Sequence, residues 1–517
     1  MAQRFSPDDT MIEIMNDVSF YTDKNNIEDV YVEFQTINGG GYFGRNDSKY
    51  FLSVLSNEYR KRTGLLTDPD FEAFVKIKSE DAIATQAAPV LIRHRLTGSF
   101  DRKILYSLGD KQRQSVLVTS KGWKLVPNTT VKKVKFLHTS VDLPQVMPVT
   151  GGNYLNLLRP YINLPDDDFK LLAVCIAQFF SRKSSHFALI ISSDKGTGKS
   201  TLTKVVQKLI DPSKIDANVM TRREEDLKVH LAGTYLACFD NTTYLKTDES
   251  NLLCATITGS TAVKRKLYTD ADQVVLSLHN VIVLNGIDII PGKSDLIQRS
   301  LLFELQPISE KDRKTDDEFW KGFEQDMPAI LGAIFDTLSK AMKILPTLQV
   351  ENLCRMADAH KEMLAIAVTL GIPQEEFTRI LYSNLDKLQD AYTQSNSFVE
   401  LILDYMSKRP GGINAPAQKL FQELKDSIVG TADFFPKSPN KLSQKLNEEK
   451  DALLKAGYTV GRIKKPTANY IQITPIPKNQ QTKQQKEAID ARTKRLLDTS
   501  DDEEDTPSAP FAPSDKA

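Results

Sequence analysis

Residues 186–210, HFALIISSDKGTGKSTLTKVVQKLI, constrain the fold more than any other stretch of the chain. The apolar run reads as a buried strand, the glycine-punctuated segment as a loop with open backbone, and the rest as an amphipathic helix. A loop in that position turns backbone N–H groups inward and aims the helix N-terminus at an anion. Gly196 and Gly198 supply the open backbone, Lys199 reaches the β- and γ-phosphates of a nucleotide, and the Ser200 hydroxyl ligates Mg²⁺. Ser193, Asp194, Lys195, Gly196, Thr197, Gly198, Lys199, Ser200 and Thr201 together form the candidate nucleotide loop, with ATP and Mg²⁺ as the expected cofactors. The first position of such a loop is usually glycine, and the small Ser193 can serve there. A plain glycine-rich turn is the competing account.

Two further apolar runs, TYLACFD and HNVIVLN, alternate with helical segments between His186 and Pro307, the pattern of buried parallel strands. The first ends in Asp240, placed to hold the magnesium through water. The position after it usually carries a glutamate that polarises the attacking water; here it is Asn241. The second run ends in Asn285, whose amide can hold that water against the γ-phosphate, or simply form an asparagine–glycine turn. Arg299, in SDLIQRSLLFEL, falls between a short helix and a strand, from where it can reach a neighbouring subunit's nucleotide. Lys199, Asp240, Asn285 and Arg299 are the candidate catalytic residues, and Ser200 and Asp240 the candidate metal ligands.

SSDKGTGKST, ACFDN, TITGSTAVKRKLYTD, VIVLNG and DLIQRSLLFEL stand in an order and spacing that resembles the superfamily 3 helicases of the AAA+ class. The wording is closest to the primase–helicase-type ATPases of phages, prophages and plasmids, over roughly residues 150–360. The resemblance implies an ATP-dependent DNA helicase or translocase acting as a homo-oligomeric ring, usually of six subunits, on single-stranded and forked DNA. It also implies a strand-gripping hairpin at about residues 260–280. Lys264, Arg265 and Lys266 are the charges on it that would meet phosphates, although the turn TDADQ is acidic. Two other readings stay open: an origin-binding initiator or loader that uses ATP as a switch, and a DNA-binding ring with little turnover.

The remaining chain predicts a multidomain α/β protein. The expected divisions are an accessory α/β domain over 1–160, a P-loop ATPase core over 161–310 and a helical region over 311–395. A winged-helix-like domain over 396–475 and a disordered tail over 476–517 follow. Many relatives carry a primase at the N-terminus; the first 160 residues hold only His94 and His138, with no DxD near either, so none is expected here. LPDDDFKLLAVCIAQFF opens the core, its aspartates reading as helix caps in preference to a metal site. SFVELILDYMSKR, AQKLFQELKDSIV and SPNKLSQKLNEEKDALLKAG read as three helices ahead of a β-hairpin. Lys441 and Lys445, just after Lys437, and Arg462, Lys464 and Lys465 on the hairpin are the candidate DNA contacts. Solvation of a helix and a turn is their plain alternative, with Glu448 and Glu449 close by.

Lysines and arginines number 67 and so do aspartates and glutamates, so any nucleic-acid footprint is local. The four cysteines, Cys175, Cys238, Cys254 and Cys354, form no CxxC pair, which argues against a zinc site and for a reducing interior. No apolar run is long enough for a membrane span, and a cytoplasmic protein of a bacterial host cell is expected. The tail, first Gln/Lys-rich and then acidic, is a candidate docking segment for a replication partner.

Overall fold

The first 136 residues build two sheets ahead of the parallel one that the later chain forms. The computed structural model describes residues 8–37, 41–67, 70–85, 88–193, 196–221, 223–242, 245–265, 273–286, 293–311, 313–428, 434–464, 469–477 and 480–481. It is a mixed α/β, multidomain chain that divides into two units, Met1–Leu388 and Gln389–Ala517. Most of the expected tail lies outside the described residues.

The chain opens with α1 (Asp9–Asn16), β1 (Ser19–Asp23), β2 (Asn26–Gln35), β3 (Gly41–Arg45), α2 (Lys49–Thr63), α3 (Phe71–Thr85) and β4 (Ala88–Arg93). In α2 the Ser48 hydroxyl accepts from Tyr50 N at the start, and Gly64, at φ 76°, takes the left-handed stop that a side chain would resist. Its buried stripe of Phe51, Leu55 and Tyr59 packs with Ile14 of α1, Phe34 of β2 and Phe74 of α3. A meander follows, β5 (Leu96–Ser99), β6 (Lys103–Ser107), β7 (Gln114–Thr119) and β8 (Gly122–Pro127); β9 (Val134–Phe136) then completes the first sheet in the order β3-β2-β1-β4-β9.

Next come α4 (Tyr154–Leu158), α5 (Asp166–Gln178), β10 (Ala188–Ser192), α6 (Lys199–Ile210), β11 (Asn218–Val219), α7 (Glu224–Ala232), β12 (Leu236–Asp240) and α8 (Thr247–Thr258). They are followed by β13 (Ser260–Arg265), β14 (Gln273–Leu278), β15 (Val281–Gly286), α9 (Ser294–Ile297) and β16 (Ser300–Glu304). Five of these strands form a wholly parallel sheet in the order β11-β12-β15-β10-β16, so β10 lies between strands that come much later in sequence. Both faces are covered, and Val281–Gly286 is buried at every position, which is why these strands read as unbroken apolar runs. β13 and β14 leave this sheet as a separate antiparallel hairpin.

The aspartates that open α5 do not cap it through their side chains. Pro165 holds the cap position, and Asp166, Asp167 and Asp168 occupy the first turn, where their charge suits the helix N-terminus. They are engaged by Arg159 at 3.1 Å, Arg379 at 3.0 Å and Asn384 at 3.3 Å respectively. Among the described residues no group of acidic, histidine or cysteine side chains could hold a metal by itself.

α10 (Asp316–Ile344), α11 (Ala357–Thr369) and α12 (Gln374–Ser395) follow the sheet. α10 clamps the meander onto the core: Asp336 accepts from Trp123 Nε1 at 2.9 Å, and Ser339 donates to Thr119 O at 2.7 Å. At Gly332 the Val149 carbonyl passes so close that a Cβ would stand 1.7 Å from it. Arg95, fully buried between β4 and β5, ties the N-terminal part to the end of α6 through Asp211 at 3.0 Å and the carbonyls of Leu143 and Pro212 at 2.9 and 3.2 Å.

The second unit contains α13 (Ser397–Ser407), β17 (Ile413–Pro416), α14 (Ala417–Asp426), α15 (Pro439–Glu448), α16 (Lys450–Lys455), β18 (Tyr458–Lys464) and β19 (Asn469–Pro475). Two features differ from the three-helix reading. A short strand, β17, joins the hairpin in the order β17-β19-β18. The third helix is two, broken at Glu449, which is buried and accepts from the Tyr392 hydroxyl at 2.8 and 2.9 Å. Leu420, Leu424, Leu442, Leu446, Leu453 and Ile473 fill its core. Cys175, Cys238 and Cys254 are buried and all four cysteines are unpaired. Among the described residues no helix is long and apolar enough to cross a membrane.

Candidate functional site

The parallel sheet brings its polar strand ends together along one edge. β10 runs out at Ser192, the chain turns through residues 193–198, and α6 begins at Lys199. Gly196 and Gly198 stand at φ 81° and 92°, the left-handed region that glycine enters without strain. At Gly196 an added Cβ would meet nothing within 4 Å, so backbone geometry, and not crowding, is what calls for glycine there. The Ser193 and Thr197 hydroxyls hydrogen-bond each other across the loop, and Lys199 Nζ donates to Ser193 O. Serine in the usual glycine position therefore adds a bond that glycine could not make. Thr201 lies in the first turn of α6, half-buried. Asp194 and Lys195 are outside the described residues.

Ser200, exposed at the start of α6, places its Oγ 3.4 Å from Asp240 Oδ2 at the end of β12. That pair of oxygens is the donor set a magnesium ion takes, hard and partly open to water. Asn241 N donates back to Asp240 Oδ1 at 2.8 Å and sits at φ 58°, so the residue in the usual glutamate position turns sharply out of the strand and is exposed. Between β12 and β10 runs β15, its Asn285 in register with Ile191. Asn285 is 1 % exposed, its carbonyl accepts from Thr242 N at 2.9 Å, and among the described residues its amide Nδ2 has no acceptor. A buried amide without a partner is costly in a packed interior. Thr242, which the sequence reading passed over, is also buried with an unpartnered hydroxyl. Its only signal was its place two residues beyond Asp240.

Ser200, Asp240 and Asn285 thus converge; Arg299 does not join them. It precedes β16, and its carbonyl accepts from Ala188 N at the opposite end of β10. A strand advances about 3.3 Å per residue, so the five residues of β16 separate Arg299 from the loop edge by roughly 16 Å. There Arg299 donates to Asp295 O at 2.9 Å and pairs with the Asp295 carboxylate, which also pairs with Arg355. Burial would raise the Asp295 carboxyl, but the two guanidinium groups outweigh it and hold it below the usual carboxylate value. Arg355 carries no assignment from its sequence position, and only the fold brings it to Arg299.

The hairpin β13–β14 pairs Lys264 with Val274 and Arg265 with Gln273; for both basic residues the backbone alone is described, and Lys266 lies outside the described residues. In the second unit Lys441 is exposed on α15, and Arg462 and Lys464 are exposed on β18. Lys445 is committed elsewhere, 2.9 Å from the buried Glu449 carboxylate. Lys465 is outside the described residues. The two N-terminal histidines are built into the framework: His94 Nε2 meets Ala232 O at 2.8 Å and His138 Nε2 meets Ser107 Oγ at 3.0 Å. Burial first, then the charge of Arg95, push His138 down to about 3, so its ring is neutral.

Residues 171–390 match a family model described as the actinomycete integrative conjugative element replication protein. The match supports a replication protein of a mobile element. It covers β10, the loop, Asp240, Asn285 and Arg299. Among solved structures, the A form apo structure of NrS-1 C terminal region-CTR is 12 % identical with a TM-score of 0.38, over 90 % of this chain and 98 % of that one. The A form apo structure of NrS-1 C terminal region-CTR(305-718) is likewise 12 % identical with a TM-score of 0.37, over 91 % and 100 %. Likeness at that level informs neither the site nor its chemistry. No curated protein matches the chain.

Proposed function

We propose that this chain is an ATP-dependent DNA translocase or helicase of the AAA+ superfamily 3 type, acting in the replication of a mobile element. The observation that carries the reading is the convergence of Ser200, Asp240 and the unpartnered, buried Asn285 amide on one edge of a parallel sheet, directly behind a glycine loop. The strand order, with the Asn285 strand inserted between the loop strand and the Asp240 strand, supports an AAA+ core. In this reading Lys199 neutralises the β- and γ-phosphates, Ser200 and Asp240 hold Mg²⁺, and Asn285 orients water. Bound magnesium would supply charge neutralisation of the phosphates. Arg299, at the far edge of its own sheet, acts on the next subunit's nucleotide, which requires a ring. The antiparallel hairpin before β15 supplies the strand grip, and the helix–strand–helix–helix–helix–hairpin order of the second unit supports a winged helix that meets DNA through Lys441, Arg462 and Lys464.

A second reading is favoured by one observation. Asn241 is exposed, turned away at φ 58°, and is not an acid, so the usual water-activating group is missing from its usual place. An initiator or loader that uses ATP as a slow switch would tolerate that. Strand displacement on a forked duplex with ATP and Mg²⁺ decides between them. Displacement by the wild type, lost in Lys199→Ala, supports the helicase. DNA-stimulated hydrolysis without displacement favours the loader, and absence of any turnover defeats both.

A further inference from the structure

The opposite edge of the parallel sheet carries a second cluster that the nucleotide site does not use. Arg182, in the link between α5 and β10, is held by its backbone N–H on Gly98 O at 3.0 Å, and its guanidinium lies 5.1 Å from the centre of the Tyr235 ring. Tyr235 and its neighbours form a hub just ahead of β12. His94 reaches Ala232 O at 2.8 Å, and Asn280 donates to Leu231 O at 2.9 Å and Thr234 O at 2.5 Å. His186 lies 3.2 Å from the Tyr235 hydroxyl and stacks on His279 with centroids 5.9 Å apart. Arg93 is the chain neighbour of His94, and its Nη1 is turned back on Ile92 O at 2.9 Å.

Four nitrogens in this cluster are shut off from solvent with no partner among the described residues: Arg93 Nε, Arg182 Nη1, His94 Nδ1 and His279 Nε2. Arg95, two residues on from Arg93, shows what a buried arginine takes in this fold when it only holds parts together: one carboxylate and a set of carbonyls. Arg93 and Arg182 have no ion pair among the described residues. The acids whose fields reach them are committed, Asp211 to Arg95 and to the amides of Tyr235 and Leu236, and Asp23 to the amide of Asn25. The arginines also repel each other. Burial first, and then the charge of Arg93, pull Arg182 down to about 10. Stacking on Tyr235 satisfies the face of a guanidinium and leaves its N–H edge asking for an acceptor.

We propose that Arg182 and Arg93, with His279 beside them, form an oxyanion site that takes a phosphate group. It lies at the root of the hairpin. His279 directly follows β14, and a Cβ on Gly259, the residue before β13, would stand 3.7 Å from its ring. A charge bound here therefore acts at the root of the element that the translocase reading places on the DNA strand. The oxyanion chemistry is independent of that reading; a DNA phosphodiester as its source rests on it.

The test uses the full chain in a Lys199→Ala background, so that the nucleotide loop contributes no anion. Thermal unfolding is followed in millimolar sulfate against chloride at matched ionic strength, with Arg182→Gln and Arg93→Gln beside the parent. The parent should gain a saturable rise in Tm from sulfate. Each variant should lose that gain while unfolding no earlier than the parent in chloride, because it removes a half-buried charge that has no ion pair among the described residues. Single-stranded DNA affinity against salt then separates the sources. If a DNA phosphate fills the site, the log–log slope falls by about 0.7 in Arg182→Gln; if the slope is unchanged and the sulfate gain is lost, a free phosphate is the ligand. An equal sulfate gain in parent and variants, or a variant that unfolds early with its sulfate response intact, overturns the proposal and leaves these as framework arginines bridged by water.

Discussion

Replacing Asn285 by leucine should move stability and turnover in opposite directions. The side chain is 1 % exposed and its Nδ2 meets no acceptor among the described residues, so the folded chain carries the desolvation cost of an unmade hydrogen bond. That cost is about 1–3 kcal/mol for a neutral group. Leucine keeps the branched skeleton, with two bulkier methyls in place of the amide oxygen and nitrogen and no polar atoms, and the bond from Thr242 N goes to the backbone carbonyl of residue 285 and survives. Asn285→Leu should therefore be as stable as the wild type or more so, by up to about 1–3 kcal/mol in chemical denaturation. Asn285→Ala, which also opens a cavity, should be less stable than either. If the amide orients the attacking water, its loss removes an interaction made in the transition state. ATP turnover should then fall about a hundred- to a thousandfold while KM for ATP stays near its wild-type value. A leucine variant that unfolds early and hydrolyses ATP normally would refute the reasoning, since it would make Asn285 a framework residue with a satisfied amide.

Three other expectations follow from particular contacts. Gly332→Ala in α10 would drive a Cβ to 1.7 Å from the Val149 carbonyl, a backbone atom with no rotamer to escape into, and should cost about 1–3 kcal/mol in spite of alanine's better helix propensity. Gly322→Ala in the same helix meets the Tyr161 side chain at ordinary contact, its hydroxyl at 3.5 Å, and should be neutral or slightly stabilising; denaturation midpoints of the two compare them directly. Burial raises the Glu362 carboxyl to about 7, against partial relief from Ser184, Gln178 and Ser181. Its folded value exceeds its unfolded one, so the folded state binds the extra proton and stability should fall as pH rises from about 4.5 to 7, then level off. Glu362→Gln should remove that part of the pH dependence in unfolding curves taken across the range. In the second unit, Lys441→Ala should lower DNA affinity and flatten its salt dependence, whereas Lys445→Ala should mainly cost stability by stripping an ion pair from the buried Glu449; binding at several salt concentrations and a melting curve separate the two.

What the sequence made legible was whatever repeats a local rule. The apolar runs at 188–192, 236–240 and 281–286 are uniform because a parallel strand covered on both faces has no polar side, and their terminal polar residues stand out for the same reason. That is why Ser200, Asp240 and Asn285 could be named before their convergence was seen. At Ser193 a motif counts residues and expects glycine, while the loop uses a hydroxyl bridge to Thr197 that no motif records. Long-range partners were invisible. Lys445 reads as a lysine on a helix face, and only the fold shows that a buried carboxylate one turn away holds it. Arg93, Arg95 and Arg182 look alike in the text, ordinary arginines beside strands and helix ends. Tertiary structure divides them: Arg95 receives Asp211 and a ring of carbonyls, Arg182 a tyrosine face and the field of Arg93, and Arg93 the carbonyl of its own neighbour Ile92. A buried charge is interpretable only through what compensates it, and compensation comes from residues a hundred positions away. So the carboxyl edge of the sheet, where polar residues mark the strand ends, could be read from sequence, and the opposite edge, where an arginine is defined by the partners it lacks, could not.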